Sequence, residues 1–118
     1  MTDKDFDSLP FEVRMEEAKK RMEEYPDKIP IILKKNPRSN INVDKNFKYK
    51  FMVPKNHTIS SFFYQIRKRM NISEEKALFF FINNSVPSLT TQTGDLYNKY
   101  KDDDLILRIS FSEENTFG

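Results

Sequence analysis

At 118 residues, 37% hydrophobic and 32% charged, the chain is one globular domain with room for a single core. It has no cysteine, which excludes a disulfide scaffold, a thiolate nucleophile and a Cys-ligated zinc. The net charge of +2 hides an uneven layout: residues 1–25 carry −3, residues 26–69 carry eleven bases against two acids, and residues 70–118 carry −4. The middle third therefore predicts a positive face suited to acidic peptides, anionic lipid or nucleic acid. Residues 1–9 are acidic and lack the apolar centre of a signal peptide, and the longest apolar run, residues 77–82, is too short to span a membrane.

In chain order, residues 1–10 give only a weak segment ending at Pro10. Phe11, Met15, Ala18, Met22 and Tyr25 then recur at spacings of four, three, four and three, an apolar helical stripe. Pro10 suits a helix start and Pro26 stops it, which predicts a helix over 11–24. The β-branched run 29–33 predicts a strand, with Pro30 near its start where a missing N–H is tolerated. Residues 36–46 read as a polar loop. Residues 47–53 alternate aromatics with lysines and stop at Pro54, the pattern of an exposed, lysine-studded edge strand.

Thr58 is a candidate N-cap for a second amphipathic helix built on Ile59, Phe62, Phe63, Ile66 and Met70. Arg67, Lys68 and Arg69 suit its C-terminal dipole. The run 77–82 is apolar on both faces and predicts a strand covered on both sides, with the 11–24 helix supplying the second cover. Residues 83–94 read as polar loop, and Leu96, Tyr97 and Tyr100 as one helical turn. Residues 102–104, three aspartates, read as a solvated turn, and the alternation over 105–111 as the clearest strand.

From the second element onward the order is ββαββ. That predicts an α+β fold of the β-grasp (ubiquitin-like) type: a four-stranded mixed sheet, one helix across it, and an N-terminal helical segment on the other face. The boundaries are 1–25 for the helical extension, 26–111 for the β-grasp core and 112–118 for a polar tail. Only two glycines occur, Gly94 and Gly118. A glycine carboxylate at the end of an extended tail fits a groove closed to other residues, although chain ends also simply fray.

Chemistry is otherwise sparse. His57 stands alone, with no second His or Cys for a metal site. Residues 102–104 lack the spacing and glycine of a calcium loop. Phe79, Phe80 and Phe81 read as core rather than as base-stacking residues. No phosphate loop or nucleophile–base pair is present, so the sequence predicts neither an enzyme nor a cofactor or metal site.

Six motifs occur in one order: Pro10-Phe11-Glu12, Tyr25-Pro26-Asp27-Lys28-Ile29-Pro30, Lys50-Phe51-Met52-Val53-Pro54, Ile66-Arg67-Lys68-Arg69, Ala77-Leu78-Phe79-Phe80-Phe81-Ile82-Asn83-Asn84 and Asn115-Thr116-Phe117-Gly118. Together they resemble the GABARAP-type autophagy ubiquitin-like modifiers over residues 10–118, with a small insertion near 46–48. The resemblance implies conjugation of a C-terminal glycine, here Gly118 with Phe117 as its recognition neighbour, to phosphatidylethanolamine on autophagosomal membranes. The partners it implies are an activating and a conjugating enzyme, whose own cysteines carry the thioesters. Whether further residues follow Gly118 in the gene is open.

The resemblance also implies receptors whose aromatic-x-x-aliphatic motifs add a strand to the sheet edge at residues 50–53. The aromatic pocket maps to Glu17, Arg21, Pro30, Ile32, Lys50, Met52 and Ile106. The aliphatic pocket maps to Lys28, Phe51, Val53, Pro54, His57, Phe62, Gln65 and Ile66. Acidic flanks of the motif would meet Arg67 and Lys28. Arg21, Ile106, His57 and Gln65 depart from the aliphatic or aromatic residues usual for the family, which predicts pockets more polar than its norm. Two other readings stay open at this level: an unconjugated β-grasp peptide adaptor, and a basic RNA- or lipid-headgroup-binding domain built on residues 28–69. The resemblance implies no nucleic-acid partner and a cytoplasmic location, with lipid anchoring on conjugation.

Overall fold

The computed structural model describes residues 3–114, and for residues 3–5 the backbone alone. A 3-10 turn, Asp3–Ser8, leads into helix α1, Phe11–Glu24, with Pro10 at its N-cap and Tyr25, ahead of Pro26, at its C-cap. Strand β1 is Lys28–Lys35, β2 is Lys50–Pro54, helix α2 is Ile59–Arg69, β3 is Phe79–Phe81, α3 is Thr93–Tyr100 and β4 is Leu107–Ser112. The four strands lie in the order β2-β1-β4-β3. β1 runs antiparallel to β2 and parallel to β4, and β4 runs antiparallel to β3, so the sheet is mixed.

The alternation of β1 and β4 divides the interior in two. Ile29, Ile31 and Leu33 of β1 and Leu107, Ile109 and Phe111 of β4 point to one face, where Phe62, Ile66 and Met70 cover them from α2 and its C-cap. Ile32 and Ile106 point to the other face, where Ala18 of α1 and Phe6 of the 3-10 turn form a smaller apolar cluster. The sheet is thus sandwiched between α1 and α2.

Several elements differ from expectation; α3, expected as one turn after a loop to residue 94, spans Thr93–Tyr100. Strand pairing of β2 starts at Lys50, not at residue 47. Phe47 is buried through an aromatic stack, its ring edge-on to Tyr49 at 5.0 Å and tilted on Phe51 at 5.7 Å, so the alternation there reports one buried side rather than a paired strand. The run 77–82 yields only the three residues of β3; Ala77 is exposed and Leu78 half-buried. The strand buried through five successive residues is β1, Ile29 to Leu33, and it is β1 that α1 packs against. The last strand begins at Leu107 because Leu105 takes a left-handed φ of 68°, which breaks the extended run before it pairs.

The aspartate turn also differs. Asp104 is only 2% exposed and lies under α1 rather than in solvent. Its carboxylate accepts bonds from Arg14 Nε at 3.0 Å and from Arg108 Nη1 and Nη2 at 2.9 and 2.7 Å. Arg108 also donates to Asp7 Oδ1 at 2.7 Å and Asp102 Oδ2 at 2.8 Å. An ion network therefore ties the 3-10 turn, α1 and β4 together on this face.

α3 packs against β1 and β2. Thr93 N donates to His57 O at 2.8 Å and Gly94 N to Lys55 O at 2.8 Å. A Cβ on Gly94 would sit 3.0 Å from that same Lys55 oxygen, so the glycine permits this close approach.

Candidate functional site

β2 is an edge: among the described residues it has a strand on one side only, β1. Pro54 ends the strand, and the exposed Lys48 just before it suits an open rim. Residues 50 and 52 share one face of β2 and residues 51 and 53 the other, by the period of two.

On the α1 side, a cavity of about 300 Å³ opens beside this edge. Its lining includes all seven residues mapped to the aromatic pocket: Glu17, Arg21, Pro30, Ile32, Lys50, Met52 and Ile106. They come from α1, β1, β2 and the residue before β4, brought together by the antiparallel pairing of Pro30 with Met52 and Ile32 with Lys50. Ala18, Phe51, Lys48 and Phe6 complete much of the wall.

The polar character expected from Arg21 is redirected. Its Nε donates to Glu17 Oε1 at 2.9 Å and its Nη1 to Glu24 Oε2 at 3.2 Å, along the exposed surface of α1. Those hydrogen bonds raise the guanidinium pKa and keep its charge at the rim. The apolar floor, made of Ala18, Ile32 and Ile106, is buried.

The eight residues mapped to the aliphatic pocket are distributed otherwise. Val53, Phe62 and Ile66 belong to the main core at 4%, 2% and 1% exposure, so they underlie the surface rather than line it. Lys28, Phe51, Pro54 and His57 are half-buried and Gln65 is exposed. Phe51 meets Phe62 edge-on at 6.4 Å and carries the Arg69 guanidinium 5.7 Å above its ring. Lys28 Nζ lies 5.3 Å over the Tyr25 ring.

Arg67 has a structural task that differs from the expected contact with acidic flanks. Its Nη2 donates to Ser73 O at 2.8 Å and also to Lys76 O, fastening the loop after α2. A guanidinium held by backbone carbonyls has fewer donors for an incoming carboxylate. The cations beside the edge strand are Lys48, Lys50 and Arg69, which line a second groove of about 490 Å³ with Asp44, Asn46, Phe47, Phe51 and Met52. This groove is where the positive middle third of the sequence meets β2.

Phe117 and Gly118 lie outside the described residues. The chain leading to them is held by Glu113, whose carboxylate accepts from Ser39 Oγ and from Asn40 N at 3.2 Å. Those bonds hold the Glu113 pKa below its usual value.

One site residue, Phe6, and one residue of the ion network beside it, Asp104, were not foreseen from sequence. Phe6 is a lone aromatic in an acidic stretch without periodicity. Asp104 sits in a run of charge that reads as solvated.

Compared with known proteins, residues 13–118 match the family described as autophagy protein Atg8, ubiquitin-like. The fold is similar to that of Trypanosoma brucei ATG8, at 39% sequence identity and a TM-score of 0.82, with 94% of each chain covered. It is also similar to Plasmodium falciparum Atg8, seen in complex with a Plasmodium falciparum Atg3 peptide. That match has 32% identity and a TM-score of 0.81, covering 92% of this chain and 94% of that one.

Proposed function

The chain belongs to the Atg8 family of ubiquitin-like autophagy proteins, and on that premise we propose that it is a lipid-conjugated modifier and peptide-docking adaptor. Its Gly118 carboxylate is adenylated with ATP by an activating enzyme, releasing pyrophosphate, is captured as a thioester by a cysteine of that enzyme, releasing AMP, and is passed by thiol exchange to a conjugating enzyme. The amine of phosphatidylethanolamine then attacks the thioester carbonyl, forming an amide and releasing the thiol. The modifier so anchored on autophagosomal membranes recruits partners from the cytoplasm through β2.

The observation that carries the docking half is the cavity beside β2, which among the described residues has a neighbouring strand on one side only, lined by all seven residues mapped to the aromatic pocket. A peptide adding as a strand to β2 gains main-chain bonds from the edge and side-chain contacts from the cavity. The Atg3 peptide on the Plasmodium relative supports a peptide partner of the conjugation pathway. Acidic residues flanking the motif meet Lys48, Lys50 and Arg69, which favours encounter rate and register.

Two measurements test the reading. Incubation with activating and conjugating enzymes, ATP and phosphatidylethanolamine liposomes gives a lipid adduct by mass that vanishes in Gly118→Ala. With competent enzymes and no adduct, the unconjugated adaptor remains. Calorimetry with an acidic-flanked aromatic-x-x-aliphatic peptide shows binding that Met52→Asp abolishes. Because His57 and Gln65 replace apolar residues around the aliphatic anchor, this binding is weaker than for relatives with apolar ones; equal affinity would refute that part.

A further inference from the structure

The apolar floor of the α1 cavity already holds an aromatic ring. Phe6 is 4% exposed and packs with Ala18, Ile32 and Ile106. Ile32 and Ile106 belong to the set mapped to the aromatic anchor of a motif peptide. Lys50 Nζ lies 4.1 Å over the Phe6 ring, capping it from the β2 side. The cavity of about 300 Å³ is the space left beside this ring, not the space it fills.

The ring is held in place from its own chain neighbours. Asp7 accepts from Arg108 Nη2 at 2.7 Å and pairs with Lys34. Leu9 N donates to Phe6 O at 3.0 Å, and Arg14 Nη1 donates to Leu9 O at 2.5 Å. These bonds lie at the rim, in partial contact with water, whereas the Phe6 side chain is buried on the apolar floor with Leu9 packed partly buried beside it. One side chain seated in a pocket and fastened by rim ion pairs is a displaceable arrangement, unlike a residue woven into the main core.

We propose that Phe6 is an intramolecular occupant of the aromatic pocket, so that a motif peptide must displace the Asp3–Ser8 turn before its own anchor reaches Ile32 and Ile106. This rests on the reading of the β2 face as a motif-docking site. The consequence is a threshold: apparent affinity equals the intrinsic affinity scaled by the fraction of molecules with Phe6 out. A ligand with a larger ring than phenylalanine gains most from the exchange, because it recovers more apolar contact than the protein gives up. The 3-10 turn then selects among motifs, rejecting weak anchors.

The test is calorimetry of the full chain with an acidic-flanked Trp-x-x-Leu peptide, run on wild type, Phe6→Ala and Asp7→Asn, with nuclear Overhauser contacts from the Phe6 ring to the Ile32 and Ile106 methyls as a second readout. Phe6→Ala binds about tenfold more tightly, equivalent to ~1.4 kcal/mol. Asp7→Asn, which keeps the ring and loosens its tether, binds about threefold more tightly by the same relation. In wild type the Phe6 contacts disappear on adding peptide. Amide protection at Ile109 and Phe111 in the free variants verifies that the main core is intact. Weaker or unchanged binding in Phe6→Ala, or ring contacts that persist in the complex, makes Phe6 a wall of the pocket and overturns the proposal while leaving docking at β2 standing. No binding in any of the three proteins, with ring contacts undisturbed, overturns both.

Discussion

The two faces of this sheet are held by different physics. On the α2 face, Ile29, Ile31, Leu33, Ile66, Leu107, Ile109 and Phe111 are each at or below 1% exposure, and the contacts among them are apolar. On the α1 face the apolar cluster comprises Phe6, Ala18, Ile32 and Ile106, ringed by ion pairs from Asp7, Arg14, Lys34, Asp104 and Arg108. α1 fully buries only Ala18, whereas α2 buries Ile59, Phe62 and Ile66. Apolar burial is indifferent to pH and hard to undo locally, while an ion-pair rim is conditional. The candidate site lies on the conditional face, where a side chain can leave without opening the main core.

That contrast predicts a hierarchy of damage. Phe111→Ala, at 0% exposure on the α2 face, empties a volume that the packed aromatics Phe80 and Tyr49 cannot refill. It costs ~3–5 kcal/mol in urea unfolding, much of a small domain's stability. Asp104→Ala removes an acceptor shared by Arg14 and Arg108 and leaves Arg108, a partly buried cation, with Asp7 and Asp102 alone. Its cost is about 3 kcal/mol, the lower end for breaking a buried pair, because those two partners persist. A larger loss from Asp104→Ala than from Phe111→Ala would reverse the comparison.

Acid distinguishes the faces more directly. Burial alone would raise the pKa of Asp104, but hydrogen bonds from Arg108 and Arg14 outweigh it and hold the carboxyl below its usual 3.8. Burial likewise opposes, and the bonds from Arg108 and Lys34 outweigh, at Asp7. A carboxyl with a lower pKa in the folded state gives its full stabilisation above the unfolded value and loses it as pH falls through the folded value. The contribution of these two carboxyls to stability is therefore constant from neutral pH down to about 5 and is lost as pH falls below 3.8. The loss registers first as hydrogen exchange in α1, before α2, and the slope of stability with pH flattens in Asp104→Asn. Simultaneous loss of protection in both helices would show that the two faces do not respond separately.

How much of this was legible in sequence divides along the same line. The α2 face was readable because apolar burial leaves periodic traces: the stripe from Ile59 to Met70 and the alternation through Leu107, Ile109 and Phe111 each face one partner. The 11–24 helix was readable to the residue, because prolines at 10 and 26 bracket its stripe. The seven residues of the aromatic pocket came from the resemblance, since no period links Glu17 to Lys50 or Ile106. The ion network was not legible at all. Whether Asp104 is solvated depends on Arg14, ninety positions away, and on the left-handed turn at Leu105 that tucks it under α1. Phe6 was hidden for the same reason, since the residues that bury it, Ala18, Ile32 and Ile106, are distant in sequence and share no period with it.

The helix starts give the smallest and most local version of the contrast. α2 is capped by its own sequence: Thr58 Oγ1 accepts from Ser61 N at 3.2 Å. α1 begins at Pro10 with no side-chain cap, and its first turn is steadied instead by Arg14, which reaches both Leu9 O and Asp104. Thr58→Ala therefore costs about 1 kcal/mol, measured by urea unfolding, and the cost is the same at pH 7 and below pH 3.8, where Asp104 takes up its proton, because no titrating group takes part. Arg14→Gln keeps a donor but removes the charge facing Asp104, so its effect on α1 protection is large at pH 7 and shrinks as Asp104 protonates. A pH-independent Arg14 effect would mean that packing of its stem on Phe11, where the guanidinium lies 5.8 Å over the ring, steadies the start of α1 rather than charge. The faces would then differ in the amount of apolar contact and not in its kind.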